Sequence, residues 1–349
     1  MLGKGGGTDM TAPIRSDGGV FMCSPGGVRC LLPSGLNIVG GMGYSLRCYG
    51  DRHIISSKPN YTTWNLKTST PTWVTYKANV TGRLGSGCAK LGGSYYFTCG
   101  RESISGVFNA AYETDVWKST NLIEWTRIKT NMNPKMWARL IVFNNEIYML
   151  GGQRALLNSS STEVLKTSDG ITWTEVVAEG GLSTSVTAFG RTPYTSAVVF
   201  LGKIYLFSER FGNPGVYSSS DGSTWNQEAD TAAVFGCSFR RGSSGCVHNG
   251  YYYLAGGFGT ITDGGAQDER SDVWRTANGQ DWDKVANDGA YSKRLDAQMI
   301  SRDGSIYILP GHPALNKIAQ STDGGVTWTD TETPGLYDIY RMGYSIVTD

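Results

Sequence analysis

Charged side chains are scarce. Only 17% of the 349 residues are Asp, Glu, Lys or Arg, against about 25% in an average soluble protein. They nearly cancel, 31 basic against 30 acidic, for a net charge of +1. That balance lacks the basic excess of a nucleic-acid coat or a polybasic membrane anchor. No stretch approaches 18 consecutive apolar residues, so no membrane-spanning helix and no membrane insertion are expected. Met1 to Met10 is Gly-rich and holds no apolar segment of a secretory signal. Helical periodicity of useful length is also missing. Histidine occurs only at His53, His248 and His312. No H-x-x-x-H, C-x-x-C, G-x-S-x-G or phosphate-loop spacing occurs, so no metal and no cofactor is expected. The seven cysteines are odd in number and not spaced as a disulfide framework, which suits folding in a reducing cytoplasm.

Glycine, by contrast, is abundant: 47 residues, roughly twice the usual share of about 7%. The glycines follow no collagen period, and with 40% hydrophobic and 11% aromatic residues a core is expected. Their places emerge when the chain is aligned on tryptophan. Lys166-Thr-Ser-Asp-Gly-Ile-Thr-Trp173 returns as Ser218-Ser-Ser-Asp-Gly-Ser-Thr-Trp225, Arg275-Thr-Ala-Asn-Gly-Gln-Asp-Trp282 and Ser321-Thr-Asp-Gly-Gly-Val-Thr-Trp328. Weaker copies end at Trp73 and Trp125. The tryptophans are 46 to 57 residues apart, a spacing found in propeller blades.

About 20 residues after each Trp comes an apolar run, a tight turn and a second apolar run. Examples are Leu140 to Leu150 around Asn144-Asn145, Ala197 to Phe207 around Gly202-Lys203, Gly245 to Leu254 around Asn249-Gly250, and Gln298 to Leu309 around Asp303-Gly304. Asn-Gly and Asp-Gly between such runs mark hairpins, because both central residues of a type I′ turn need positive φ. Each unit thus reads as four strands, A to D, with Trp on strand D.

The expected architecture is an all-β fold: a single closed β-propeller of seven four-stranded blades, with six as the alternative. Residues 1–17 form a flexible tail and 18–349 the propeller. Six units cover 42–78, 79–130, 131–178, 179–230, 231–287 and 288–333. A closing blade joins 334–349, as strand A, to 18–41. There Val20 to Cys23 serve as strand B, Val28 to Leu31 as C and Leu36 to Gly40 as D. Such a splice from both termini removes free edges.

Ser321-Thr-Asp-Gly-Gly-Val-Thr-Trp328 resembles the Asp-box (BNR) repeat of sialidases and other propellers. The Gly-Gly pairs at 151–152 and 256–257 resemble kelch repeats. Together these marks cover nearly the whole chain and are specific for fold rather than function. Asp169, Asp221 and Asp323 are assigned to turn structure, where carboxylates take backbone N–H groups. Trp173, Trp225 and Trp328 are assigned to packing between blades.

Nine residues before the hairpin turns stand Arg83, Lys135, Arg240 and Arg294, and the truncated last copy carries Arg341 in register. In a closed propeller they share one ring at the channel mouth. Arg101, Arg154 and Arg210 begin B-to-C loops on the same face, and Trp137 lies close in register. Guanidinium forks suit carboxylates and phosphates, and several kelch domains bind acidic peptides with such arginines. The same residues could equally tie the D-to-A loops to backbone carbonyls.

The leading functional expectation is a non-enzymatic binding or structural propeller in a bacteriophage virion, tail- or head-associated. It would fold in the host cytoplasm and contact a host surface glycan or another virion protein through its B-to-C loop face. A cytoplasmic location is the alternative. A second expectation is a sialidase-like glycosidase or kelch-type sugar epimerase, for which Glu102, Asp115, Glu163, Glu209 and Asp272 are available carboxylates. The N-terminal F-R-I-P segment of sialidases is absent, so no catalytic residue is assigned. A galactose-oxidase-like copper site lacks its paired histidines. A third expectation is a scaffold whose arginine ring holds an acidic peptide or anionic sugar.

Overall fold

The computed structural model describes residues 19–22, 29–30, 32–33, 36–39, 62–64, 73–76, 83–102, 112–120, 124–154, 161–178, 196–208, 215–237, 240–260, 267–309, 311, 317–332 and 345–348. Strand follows strand through them. Among the described residues one short helix, Thr231–Phe235, breaks the pattern, capped by the Asp230 carboxylate and ended by Gly236 in the left-handed region. No helix of the described residues is long and apolar enough to cross a membrane.

Five four-stranded antiparallel sheets succeed one another, each a meander in chain order. Their first strands are Gly87–Leu91, Arg139–Phe143, Ser196–Phe200, Ser244–His248 and Met299–Arg302. These inner strands lie side by side from one sheet to the next. In four sheets the pairing of the third and fourth strands shifts by one residue at the same point, just after Val116, Val164, Val216 or Val273. A bulge there sharpens the twist of each outer edge.

The hairpin turns joining first and second strands have two successive positive φ angles, at Gly92-Gly93, Asn144-Asn145, Asn249-Gly250 and Asp303-Gly304. In the third sheet the turn is Leu201-Gly202, with φ of 49° and 70°. This corrects the Gly202-Lys203 reading. Lys203 pairs with Phe200 in the ladder, which leaves the apolar Leu201 to take the left-handed conformation.

The core lies between neighbouring sheets rather than within one. Phe143, Tyr148 and Val164 of the second sheet pack with Ile204, Tyr217 and Trp225 of the third. Trp173, Trp282 and Trp328 close the equivalent clusters between the other neighbouring pairs.

The turn preceding each Trp is held by its own side chains. Asp169 Oδ1 accepts from the N–H of Ile171 at 2.7 Å and of Thr172 at 2.8 Å. Asp221 does the same for Ser223 and Thr224, Asp323 for Val326 and Thr327, and Asn278 for Gln280 and Asp281. The Trp indole N–H then donates to the turn glycine carbonyl, as from Trp173 to Gly170 at 2.9 Å. These hydrogen bonds hold Asp221 and Asp323 down at about 2.

A second column of residues latches each turn to the preceding sheet. Tyr148 donates to the Asp221 carbonyl at 3.5 Å, Tyr205 to Asn278 at 3.4 Å and Tyr253 to Gly324 at 3.0 Å. The ring lies against the turn glycine so closely that a Cβ on Gly279 would sit 2.3 Å from Tyr205 Cε1. Gly279 also has φ +84°. Gly279→Ala is expected to cost about 2–3 kcal/mol, part left-handed strain and part overpacking. Urea unfolding checks this, with Gly202→Ala as a control, because Gly202 has a positive φ but nothing within 4 Å of the added methyl.

The ends of the chain depart from the expected splice. The C-terminal strand Ser345–Thr348 pairs with Leu36–Val39, the segment assigned to outer strand D. Gly19–Met22, assigned to strand B beside the tail, pairs instead with Thr62–Trp64 and with Leu32–Pro33, and Arg29–Cys30 pairs with Trp73–Tyr76. In antiparallel pairing either apolar head strand satisfies the tail's backbone, and the alternating pattern of such short runs does not rank the partners. Ser345–Thr348 also lies against Gly87–Leu91.

Candidate functional site

The inner strands surround a cavity of about 400 Å³ lined by Cys88, Arg139, Ser196, Ser244, Cys246 and Gln298, among others. At the end where these strands begin, four of the described units carry a cation, at Arg83, Lys135, Arg240 and Arg294, and two residues later a left-handed residue.

The cations are largely internal. Arg240 is 0% exposed. Its Nη2 and Nη1 donate to the Asp272 carboxylate at 2.6 and 3.2 Å, and its Nε to the Gly256 carbonyl at 2.8 Å. Asp272 also accepts from Arg270 Nη2 at 3.2 Å and Trp274 Nε1 at 2.8 Å. Although burial opposes ionisation, these cations and donors hold the Asp272 carboxyl down at about 2. Arg294, equally buried, donates to Asp330 at 2.8 Å and to the Lys317 carbonyl at 2.7 Å. Lys135 is paired with Glu163, which also accepts from Asn133 at 3.1 Å.

The expectation that Lys135, Arg240 and Arg294 reach a ligand is therefore corrected: burial and ion pairing turn them inward. They tie the loop before each inner strand to the start of the third or fourth strand, the other role open to them. Glu163 and Asp272, candidates for a hydrolase, are engaged in the same ties. Backbone pairing joins Arg83–Leu84 to Arg101–Glu102 and Lys135–Met136 to Gln153–Arg154, so the B-to-C segments do begin beside this end of the strands. Arg154 is half-buried. The side chains of Arg83 and Arg101, and all of Arg210, Arg341 and Glu209, lie outside the described residues.

The left-handed position is occupied by Gly85, Trp137, Gly242 and Asp296, with φ of 66°, 59°, 67° and 54°. Glycine adopts this conformation without steric cost, whereas an L-residue pays about 1–2 kcal/mol. Backbone bonds couple neighbours here: Trp137 N–H donates to the Gly85 carbonyl at 2.5 Å, and Asp296 N–H to Gly242 at 2.8 Å. The glycines also make room. A Cβ on Gly85 would meet the Trp137 indole at 2.9 Å, and one on Gly242 would meet Asp296 Oδ1 at 2.7 Å. Two units thus carry a larger side chain in the left-handed position, each lying on a glycine of the unit before.

Asp296 is the unusual member. It is 5% exposed, and its Oδ2 has no hydrogen-bond partner among the described residues. Burial pushes its carboxyl up to about 7, against the opposing pull of Arg139 and Arg241. Arg139 lines the cavity, and Arg241 is exposed with its guanidinium 4.8 Å from the Phe258 ring centroid. A buried, unpaired carboxyl is costly to keep, and such perturbed groups gather at functional sites. Sequence reasoning singled out Trp137 but passed over Asp296, Arg139 and Arg241. The available signal was the Gly85–Trp137–Gly242–Asp296 column, where two bulky residues stand in a glycine position. Among the described residues no cluster of three His, Cys, Asp or Glu side chains could hold a metal.

Comparison with known proteins agrees on architecture. A family model described as the DUF6242 beta propeller domain matches residues 119–254. The solved structure entitled "Structure of YjhT" superposes with a TM-score of 0.59 at 14% identity, covering 84% of this chain and 97% of that one. No curated protein sequence matches the chain. The protein is an all-β chain with a β-propeller fold. At such low identity the structural match speaks for fold alone.

Proposed function

We propose that this β-propeller is a binding protein that receives a polar ligand, a glycan or the surface of a partner protein, where its inner strands begin. The observation that carries this reading is Asp296: buried, strained at φ 54°, and with one carboxylate oxygen unpaired beside Arg139 and Arg241. Strain held by a side chain where glycine would serve is a mark of function. Trp137, in the same register, supplies an aromatic surface at the same end. The B-to-C segments after Arg101–Glu102, Gln153–Arg154 and Phe258–Thr260 would frame the ligand.

Six blades rather than seven is the closure favoured here. Ser345–Thr348 lies against Gly87–Leu91, where an intervening blade would have to stand. The Asp-box and kelch marks describe its units. As setting we keep a bacteriophage particle, assembled in a host cytoplasm, which suits the free and buried Cys88, Cys99, Cys237 and Cys246. Genes for capsid or tail proteins beside this one would support that setting.

Screening on a glycan array, followed by calorimetry on the hits, tests the reading. Asp296→Asn and Arg139→Ala should each weaken binding about tenfold or more with the fold retained, a loss of roughly 1.4 kcal/mol or more. Unchanged affinity in both variants overturns it. An enzymatic alternative, glycosidase or sugar epimerase, is favoured by one feature: a carboxyl titrating near neutrality suits a general acid or base. Turnover of a bound sugar by the pure protein, abolished in Asp296→Asn, would decide for it.

A further inference from the structure

We propose that Asn249 is a self-modifying site, which loses its side-chain amide to become aspartate or isoaspartate, with His248 handing a proton to the departing nitrogen. The chain holds two Asn-Gly pairs, Asn249-Gly250 and Asn278-Gly279. A glycine after asparagine has no Cβ to shield its backbone nitrogen, which can then reach the asparagine Cγ. The two pairs differ in their surroundings. Asn249-Gly250 is an exposed hairpin turn of the fourth sheet, with φ of 46° and 79°. Among the described residues Gly250 N–H has no hydrogen-bond partner, and nothing lies within 4 Å of a Cβ placed on Gly250. Asn278-Gly279 is clamped instead. Gly279 N–H donates to Thr276 Oγ1 at 2.8 Å. Asn278 Oδ1 accepts from the N–H of Gln280 and of Asp281 at 2.9 Å, and its Nδ2 donates to Asp281 at 2.8 Å. The Tyr205 ring covers Gly279.

The residue before this turn is also unusual. The first three sheets place Leu91, Phe143 and Phe200 there, and the fourth places His248. Its Nε2 lies 3.1 Å from Asn249 Nδ2 and its Nδ1 lies 2.8 Å from Ser301 Oγ. An amide NH2 only donates, so Nε2 accepts and the ring proton sits on Nδ1, donating to Ser301. A proton taken from solvent at Nε2 therefore faces the amide nitrogen. The step balances as follows: Gly250 N gives its proton to solvent and bonds to Asn249 Cγ. The Cγ–Nδ2 bond breaks, and the nitrogen leaves as ammonia with the proton from His248. Water then opens the five-membered imide at one carbonyl or the other. The aspartate product sets a carboxylate beside His248, which favours the imidazolium. Ser301 lines the cavity, so a neutral hydrogen-bonded row at the far end of the channel becomes a charged one.

Incubation of the folded full chain at neutral pH, then digestion in acid and mass spectrometry, reads the conversion at both asparagines. The hydrogen bonds around Asn278 and Gly279 must break before that pair reacts, so Asn249 should convert at least about tenfold faster. In urea the two rates should converge, because the clamp is gone. His248→Phe places in the fourth sheet the residue that the second and third carry, so the fold should persist, as circular dichroism checks. That variant should slow conversion at Asn249 by about tenfold or more, the low end of what a positioned proton donor contributes. Conversion of Asn249 no faster than that of Asn278 in the folded chain overturns the inference, and so does a wild-type rate in folded His248→Phe.

Discussion

Replacing Asp272 by asparagine is expected to cost about 3–5 kcal/mol of folding stability, the usual penalty for stripping the partner from a fully buried charge. Asp272 and Arg240 are both 0% exposed. The carboxylate collects donors from Arg240, Arg270 and Trp274, while Arg240 also holds the Gly256 carbonyl. Asparagine keeps the shape but leaves the Arg240 guanidinium uncompensated in a site water does not reach. The double variant Arg240→Met, Asp272→Leu should be much milder than either single change, because a buried pair removed together takes its desolvation cost with it. Urea unfolding of the cycle checks both statements, and a single-variant loss below about 1 kcal/mol would contradict the role given to the pair.

The pH dependence carries a sign. Asp272 titrates at about 2 in the folded chain against a reference of 3.8, so it contributes stability that is present above about pH 4 and lost as pH falls towards 2. The displacement is worth roughly 2–3 kcal/mol. Asp272→Asn should therefore flatten the acid limb of the stability curve.

The repeat was legible because its chemistry is local. Asn249-Gly250 and Asp303-Gly304 announce their turns through φ alone, and Asp169, Asp221 and Asp323 bond backbone within three or four residues. Leu201-Gly202 was misread by one residue because the turn is set by the pairing of Phe200 with Lys203 and not by the turn residues' own preference. The cation row at 135, 240 and 294 was visible, but its direction was not. An arginine's sequence neighbours do not reveal that Asp272 or Asp330 waits 32 or 36 residues away. Asp296 was hidden for the same reason in stronger form. It is distinguished by burial, by an unpaired oxygen and by Arg139 from a distant unit, all of which exist only once the sheets are assembled. The latching tyrosines were an available signal that went unread, since Tyr148, Tyr205 and Tyr253 hold one register position.

Asp296→Asn should stabilise the fold while damaging the site. In the folded chain the Asp296 carboxyl sits at about 7, above its reference of 3.8. Between about pH 4 and 7 the folded state therefore holds a proton the unfolded state releases, and stability falls as pH rises through that window. Roughly three pH units at about 1.4 kcal/mol each set an upper limit near 4 kcal/mol at pH 8. Asparagine carries no charge to desolvate and tolerates the left-handed conformation at φ 54° at least as well. Wild type and variant should thus unfold at similar urea concentrations near pH 4.5 and diverge steadily to pH 8, where the variant is the more stable by about 2–4 kcal/mol. Equal stability across that range would mean that Asp296 is solvated or paired, and the argument for a site around it would lose its main support. A divergence accompanied by weakened ligand binding would have a different meaning. Few residues are kept at the expense of the fold unless they act on something outside it. Among the described residues Asp296 combines burial, backbone strain and an unpaired oxygen, so a gain in stability together with a loss of binding marks a working site, whereas the gain alone marks a packing defect.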